Sequence, residues 1–430
     1  MRKAILASLV VLAFSVSVSA DYLDQMVIVP AGTFIMGDGE AFCGVDEHEV
    51  TLTRDFYLGQ HEVTNQEYIE ALQWAYNHGH VTVTTSMVQD NLDGSTEGLL
   101  DLNDNGCEIR FDGAGTFHLR EAPIGYTQLA YPDGYNPADH PVIEVTWHGA
   151  VRYCDWLSLQ AGLPRAYEHT GDWSCNGGDP YAAEGYRLPT DAEWEYAAQW
   201  DDERIYPWGN AEPNCDRANY GIGYPGSFCV GWTSPVGTYP DAPEALGLSD
   251  MAGNLYEWCN DRHVCDLGTD PVIDPTGGSY PYALERVLRG GAWQRPAAEL
   301  RCAIRDHAYP SASYSYGISF RVARTVDPQA VKQRGTGRSQ LILEPSKPNP
   351  FTAGTRVSYL TPSEGAAVVN VYDATGRMIR TLRAASHGPG SHSVTWDARN
   401  QAGEPVPAGI YLYELRWKGQ REARRMLLVR

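Results

Sequence analysis

From Tyr206 to Arg286 a glycine or proline interrupts the chain every few residues. Both residues punctuate regular structure, so little helix or strand is expected there and the segment reads as turns and loops. A core built on irregular backbone suits tryptophan and tyrosine, which couple a large apolar body to a polar handle. The chain carries 12 Trp and 26 Tyr against only 9 Phe, as aromatic packing of loops requires. Hydrophobic residues make up 43% and charged residues 20%, which fits globular domains and argues against disorder.

Helix signals are few and specific. Thr64-Asn-Gln-Glu67 is a capping box, in which the Thr hydroxyl and the Glu carboxylate satisfy exposed N–H groups at a helix start. It predicts a helix to about Asn77, stopped at Gly79. Thr146 opens a second, with Ala150, Val151, Cys154 and Leu157 on one face, ending at Gly162. Thr190 to Glu193 is another capping box and opens a third. The run DLNDNGCEIRFD (101–112) places Asp101, Asn103, Asn105, Gly106 and Asp112 at EF-hand-like offsets. However, CEIRF followed by GTFHL reads as a hairpin around a Gly-rich turn. His48 and His61 each begin HEVT, yet neither has the second His of a zinc HExxH helix.

Residues 1–20 show a basic start at Arg2 and Lys3, an apolar run, and the small residues Val18 and Ala20 before a cut. This is the pattern of a secretory signal peptide, so a secreted or cell-surface location is expected. All nine cysteines lie between Cys43 and Cys302. Export permits disulfides, and an odd count leaves at least one thiol over. Cys259 with Cys265, and Cys215 with Cys229, are close enough in sequence to pair. Residues 22–325 form a loop-rich first part, 326–340 a polar linker, and 341–430 a region of short alternating strands. The last 90 residues hold 12 basic and 7 acidic side chains, a net of +5; the rest hold 21 and 47, a net of −26. Such an acidic body repels nucleic acid and anionic membranes, so no nucleic-acid partner is expected.

The first part resembles the formylglycine-generating enzyme, or sulfatase-modifying factor, family. The segments that carry the resemblance include VIVPAGTFIMGD (27–38), PVIEVTWHGAVRYCDWLS (141–158), YRLPTDAEWEYAAQ (186–199), GLSDMAGNLYEW (247–258), LRGGAW (288–293) and GISFRVAR (317–324). The resemblance implies an α+β, C-type-lectin-like fold with little regular secondary structure. Family enzymes carry two cysteines just after the RGG turn, which bind copper(I) and oxidise a sulfatase cysteine to formylglycine. Here that stretch is AWQRPAAEL, without cysteine. One thiolate at Cys302 cannot replace a soft-metal pair, so copper is not expected. The side chains left for any chemistry are Trp293, Arg295, Arg301, Cys302 and Arg305, and none is assigned a catalytic role. Trp293 would stack on a sugar or peptide, or plug the core. Arg289, Arg301, Arg305 and Arg321 would line an anionic groove, or brace loops through carboxylates such as Glu257 and Asp261. Asp306 and His307 are acid–base candidates that nothing in the sequence orients.

The resemblance also implies structural calcium. One site would use Asp250 with the carbonyls of Met251, Gly253 and Leu255; a second would begin at Asn219 and Tyr220, with its acidic half missing. Cys154 and Cys302 match halves of two family disulfides whose other positions read Val322 and, nearby, Ala198. They therefore pair anew, with Cys175 for instance, or stay as buried thiols acting as small hydrophobes.

Residues 341–430 resemble the flagellar-hook-capping-like immunoglobulin module and type IX secretion sorting domains. The carriers are PNPF (348–351), VNVYDATGRMIRTL (369–382), the stretch 388–415 and RMLLVR (425–430). An all-β immunoglobulin-like sandwich is implied, with outer-membrane secretion machinery as its partner. The expected function is an exported, calcium-stabilised surface module for a peptide, protein or glycan. The alternative is an oxidoreductase that makes formylglycine or another oxidative modification.

Overall fold

The computed structural model describes residues 22–39, 46–169, 173–200, 204–223, 226–239, 246–277, 284–312 and 317–326. Toward the C-terminus it describes 342–343, 346, 349, 351–352, 354–361, 367–373, 377–383, 390–418 and 420–429. The predicted signal segment 1–20, Cys43 and the predicted linker after Val326 lie outside the described residues. The chain divides into two compact units, Met1–Val326 and Asp327–Arg430. Val326 is buried and donates its N–H to the Asp55 carbonyl, so it closes the first unit and does not open the linker.

The three predicted helices form where their caps place them. Helix α1 (Asn65–Asn77) starts on Thr64, whose Oγ1 accepts the Glu67 N–H at 3.1 Å while Glu67 Oε2 accepts the Thr64 N–H at 2.8 Å. It buries Tyr68, Ile69, Leu72 and Ala75, and Gly79 follows at φ 73°. Helix α2 (Gly125–Ala130) was not anticipated, since Ile124 precedes it and Thr127 alone supplies the capping oxygen. Helix α3 (Trp147–Gln160) begins on Thr146 and packs so closely on the Gly98–Asp101 strand that a Cβ on Gly149 would stand 2.2 Å from the Leu99 carbonyl oxygen. Helix α4 (Asp191–Gln199) starts on the Thr190–Glu193 capping box, and all nine of its residues are buried.

Burying α4 takes Asp191, Glu193 and Glu195 out of water, which is costly unless each carboxylate is paired. Arginines from other segments do this. Arg187 forms a two-pronged pair with Glu193, both contacts at 2.7 Å. Arg289 bonds Asp191 and reaches Glu195 at 2.8 Å, and Arg305 bonds Asp191 at 2.8 Å. Arg321 grips Glu257 through two 2.6 Å bonds, and Trp194 donates its indole N–H to the same carboxylate.

Against α4 lies a four-stranded sheet in the order Asp306–Ala308, Arg286–Arg289, Tyr256–Arg262, Ile318–Ser319. The seven-residue strand Tyr256–Arg262 corrects the expectation of little regular structure before Arg286. Its sequence, YEWCNDR, holds no Gly or Pro, and all but Arg262 are buried. The strands Ile109–Phe111 and Phe117–Leu119 pair as the predicted hairpin. Asp112 Oδ1 accepts the N–H groups of Ala114, Gly115 and Thr116 at its turn, while Asp101 and Asp104 close smaller turns. The EF-hand-like acids Asp101 and Asp112 therefore act as turn caps.

Tryptophans fill the two main cores and use their handles. Trp147 donates to the Cys259 carbonyl and Trp258 to the Val145 carbonyl. Tyr68 stacks on Tyr153 with ring centroids 5.5 Å apart. Cys215 and Cys229 form a disulfide, as one of the two suggested pairings has it. The other is overturned: Cys259 is a buried free thiol in the core beside α4, and Cys265 is itself disulfide-bonded.

In the second unit, strands Ile342–Leu343, Thr355–Thr361 and Gly390–Trp396 form one antiparallel sheet. Met378–Arg383, Ala367–Asp373, Gly409–Trp417 and Gln420–Leu428 form another. Tyr411, Tyr413, Leu415 and Trp417 alternate inward, the period-2 pattern of a half-buried strand. The basic end is a structural strand: Met426 and Leu428 are buried in the core around Trp396.

Arg289→Ala is expected to lower the stability of the first unit by roughly 3–5 kcal/mol, because it strands two buried carboxylates. Denaturant unfolding followed by near-ultraviolet circular dichroism measures this, with Arg289→Lys losing less. A second expectation concerns Glu144, which is buried, sits at φ 62° and leaves Oε1 without a hydrogen bond. Burial, then Asp104 and Asp101, push its carboxyl from 4.5 up to about 9. The folded state thus keeps a proton that the unfolded chain releases. The Glu144 contribution to stability is greatest below pH about 4.5 and falls by up to about 1.4 kcal/mol per pH unit toward 9. Glu144→Gln is expected to leave stability at acidic pH nearly unchanged and raise it at about pH 8, measured as the shift in unfolding midpoint between the two conditions.

Candidate functional site

The strand Arg286–Arg289 runs into Gly290 and Gly291, both left-handed at φ 90° and 74°. Gly291 has no space for a side chain, and Gly290 is tight. A Cβ on Gly291 would lie 2.7 Å from the Glu299 carbonyl oxygen, and one on Gly290 would lie 3.3 Å from the Trp194 ring. The chain then turns through Ala297–Leu300 and reaches Cys302. Cys302 is buried and unpaired in the core formed with Val287, Cys259 and Ala198. Burial, then Glu195, pushes its thiol well above the ordinary range. Arg289 donates to its carbonyl at 3.0 Å. Cys302 is thus a small apolar core residue, and it does not fit a copper site that needs an accessible thiolate. Cys154 is likewise free and buried, in the same core as Val322. Apolar packing replaces each of the two family bridges.

Trp293 is 5% exposed and packs on Phe228 and Trp232, with centroids at 5.1 and 5.8 Å. It plugs the core and offers no stacking platform. Arg305 is buried on Asp191 and the Val264 carbonyl. Arg301 pairs with Asp38 at 2.7 Å. Arg289 and Arg321 brace carboxylates, so each of the four arginines meets an acid. Asp261, however, accepts the Asp191 backbone N–H at 2.8 Å where an arginine partner was suggested. Arg295 is the accessible member of the stretch, its guanidinium 5.6 Å from the Tyr256 ring centroid and 3.8 Å from Glu299 and Asp306.

The two calcium segments, read separately in the sequence, touch each other. Asn254 donates its backbone N–H to the Asn219 carbonyl at 2.8 Å, and a Cβ on Gly253 would stand 2.4 Å from that same oxygen. The Met251 and Leu255 carbonyl oxygens converge on the bare face of Gly290, 3.4 and 3.7 Å from where its Cβ would be. Asp250 sits at φ 58° and accepts the N–H groups of Gly237 and Tyr239. Its burial lifts the carboxyl to about 6 against those bonds. Glu62, which the sequence reading missed, is fully buried beside it and leaves Oε2 unpartnered. Burial, then Asp250 and Glu257, drive its carboxyl well above the ordinary range. Buried acids with one orphaned carboxylate oxygen are the oxygen donors that a hard cation takes. The Asn219–Tyr220 half is poorer. Asn219 Oδ1 is unpartnered, but the Tyr220 carbonyl already accepts the Cys229 N–H. No signal near Glu62 could have been read from the sequence alone, since 188 residues separate it from Asp250.

A cavity of about 1060 Å³ opens beside the sheet, lined among others by Met36, Asp191, Asp261, His263, Leu267 and Val272. Burial and the neighbouring Asp191 raise the Asp261 carboxyl to about 7. Burial, then Arg305, lowers His263 to about 4, which keeps it neutral. Apolar walls with a few buried polar groups are the usual make-up of a ligand pocket.

Residues 14–326 match the model of the sulfatase-modifying factor enzyme 1-like domain, and residues 350–419 match that of the FlgD Ig-like domain. The chain is similar to the serine/threonine-protein kinase Pkn1 of Chlamydia trachomatis, 31% identical over 310 residues, which is 71% of this chain and 39% of that protein. It is also similar to the formylglycine-generating enzyme of Bos taurus, 27% identical over 323 residues, covering 70% of this chain and 74% of that protein. Among solved structures, Treponema denticola variable protein 1 aligns with a TM-score of 0.48 at 24% identity, covering 70% of this chain and 94% of that one. The chain spans about two fifths of the length of the first curated relatives it matches. With most of its length matched by one family model, the chain belongs to the sulfatase-modifying factor enzyme 1-like family and carries a C-terminal FlgD Ig-like domain.

Proposed function

We propose that this chain is an exported, calcium-stabilised binding module of the family, not a formylglycine synthase. One observation carries the reading: the cysteine that follows the glycine pair, Cys302, is sealed in the core. Copper(I) chemistry needs soft thiolates that substrate and oxygen can reach. Calcium would be held by the carbonyls of Met251, Gly253 and Leu255 with the carboxylates of Asp250 and Glu62. Its role would be to neutralise the buried acids and lock the loop. The ligand would be a peptide or glycan received in the cavity beside Asp261, and the acidic body favours a peptide with basic side chains. Residues 1–20 and the Ig-like domain support passage out of the cell through outer-membrane machinery. The alternative is oxidation of a sulfatase cysteine or of another substrate. It draws on the 27% identity to the bovine formylglycine-generating enzyme.

Aerobic incubation of the purified chain with copper(I) and a Cys-x-Pro-x-Arg peptide is expected to give no formylglycine by mass spectrometry. Conversion above the copper-only control would transfer the assignment to the enzyme. Removing calcium with a selective chelator is expected to lower the melting temperature of the first unit. Saturation at about 100 times Kd corresponds to about 2.7 kcal/mol. A melting temperature indifferent to calcium would remove the cation from this reading.

A further inference from the structure

We propose that His263, Glu285 and His307 bind one divalent transition metal of the zinc class. None of the three belongs to the Asp250 loop or to the stretch after Gly291. Three segments of the same sheet bring them together. His263 follows the strand Tyr256–Arg262 and donates its backbone N–H to the Glu285 carbonyl at 2.9 Å. Two residues along, Val287 pairs with His307 on the neighbouring strand. Side chains alternate along a strand, so residues 285 and 287 and their cross-strand partners share one face.

One ligand atom from each residue lies within 4.8 Å of the other two, and no other such group converges among the described residues. His307 Nε2 stands 3.5 Å from Glu285 Oε2. The two imidazoles face each other with centroids 4.2 Å apart and 21° between their planes. His263 is 8% exposed, and its Nε2 makes no hydrogen bond. An unpartnered imidazole nitrogen in a buried position carries a desolvation cost that a metal would relieve. His307 Nδ1 lies 4.0 Å from Asp306 Oδ1, beyond hydrogen-bond reach, and that oxygen accepts the His307 backbone N–H at 2.7 Å. The nearby guanidinium of Arg305 pairs with Asp191 at 2.8 Å.

Two imidazole nitrogens and one carboxylate oxygen form a borderline donor set. They suit zinc, cobalt or iron(II) over calcium and magnesium, which take oxygen. In nearly parallel rings the in-plane lone pairs run side by side. Binding therefore requires the His307 ring, one-third exposed, to turn about its terminal bond while the buried His263 stays fixed. Three protein donors leave a coordination position open. Because His263 also lines the 1060 Å³ cavity, a ligand held there would lie on the metal's side of the sheet.

The test is a Co²⁺ titration of the untagged full chain, kept in excess calcium so that oxygen sites are filled, and followed by visible absorption. One Co²⁺ per chain is expected, with ligand-field bands of a nitrogen–oxygen site. His307→Ala and Glu285→Gln should each weaken binding by at least about 10–100-fold, a range that even outer-shell losses reach. Both side chains are partly exposed, so their melting temperatures should match the parent. His263→Ala is a poorer probe, since it opens a buried position. The proposal is overturned by absence of binding, by unchanged affinity in both variants, or by a thiolate-to-cobalt charge-transfer band placing the metal at a cysteine.

Discussion

The architecture of the first unit rests on arginine forks that close around buried carboxylates. Helix α4 brings three acids into the core within nine residues, and its burial is tolerable only because Arg187, Arg289 and Arg305 arrive from other segments. Asp191 shows the balance: burial would raise its carboxyl, but Arg289 and Arg305 outweigh that and hold it below the ordinary value. Few ladders exist here to satisfy buried carbonyls, so the same guanidinium groups serve them too. Arg289 reaches the Cys302 and Ile304 carbonyls, Arg321 those of Gly59 and Ser249, and Arg305 that of Val264. In a loop-rich fold, five donors in a rigid plane do the work that hydrogen-bonded strands do elsewhere.

That clamp decides the fate of the stretch after the glycine pair. Because Arg289 holds the Cys302 carbonyl and the glycines leave no room for rearrangement, the thiol points into the core. The same glycines expose the Met251 and Leu255 carbonyls to one another's neighbourhood. A single turn therefore buries the sulfur while the Met251 and Leu255 carbonyl oxygens approach Gly290.

Much of the local structure was legible because it is set by contacts a few residues apart. The Thr64 and Thr190 capping boxes and the Thr146 cap each begin a helix at the next residue. The Asp112 turn and the alternation from Tyr411 to Trp417 likewise depend on neighbours in the chain. Strand Tyr256–Arg262 escaped notice because glycines and prolines on both sides masked a run that contains none. Helix α2 escaped because its cap is the side chain of Thr127 inside the helix and not a polar residue before it.

Residue types alone determined the family, the aromatic core and the absence of a cysteine between Gly291 and Cys302, since each is a matter of composition or order along the chain. Only the tertiary structure decided which arginines meet which acids, that Trp293 is a plug, that Glu62 joins Asp250, and that His263, Glu285 and His307 share a face. Those outcomes couple residues tens to hundreds of positions apart. They follow from burial and strand register, which no local spacing encodes.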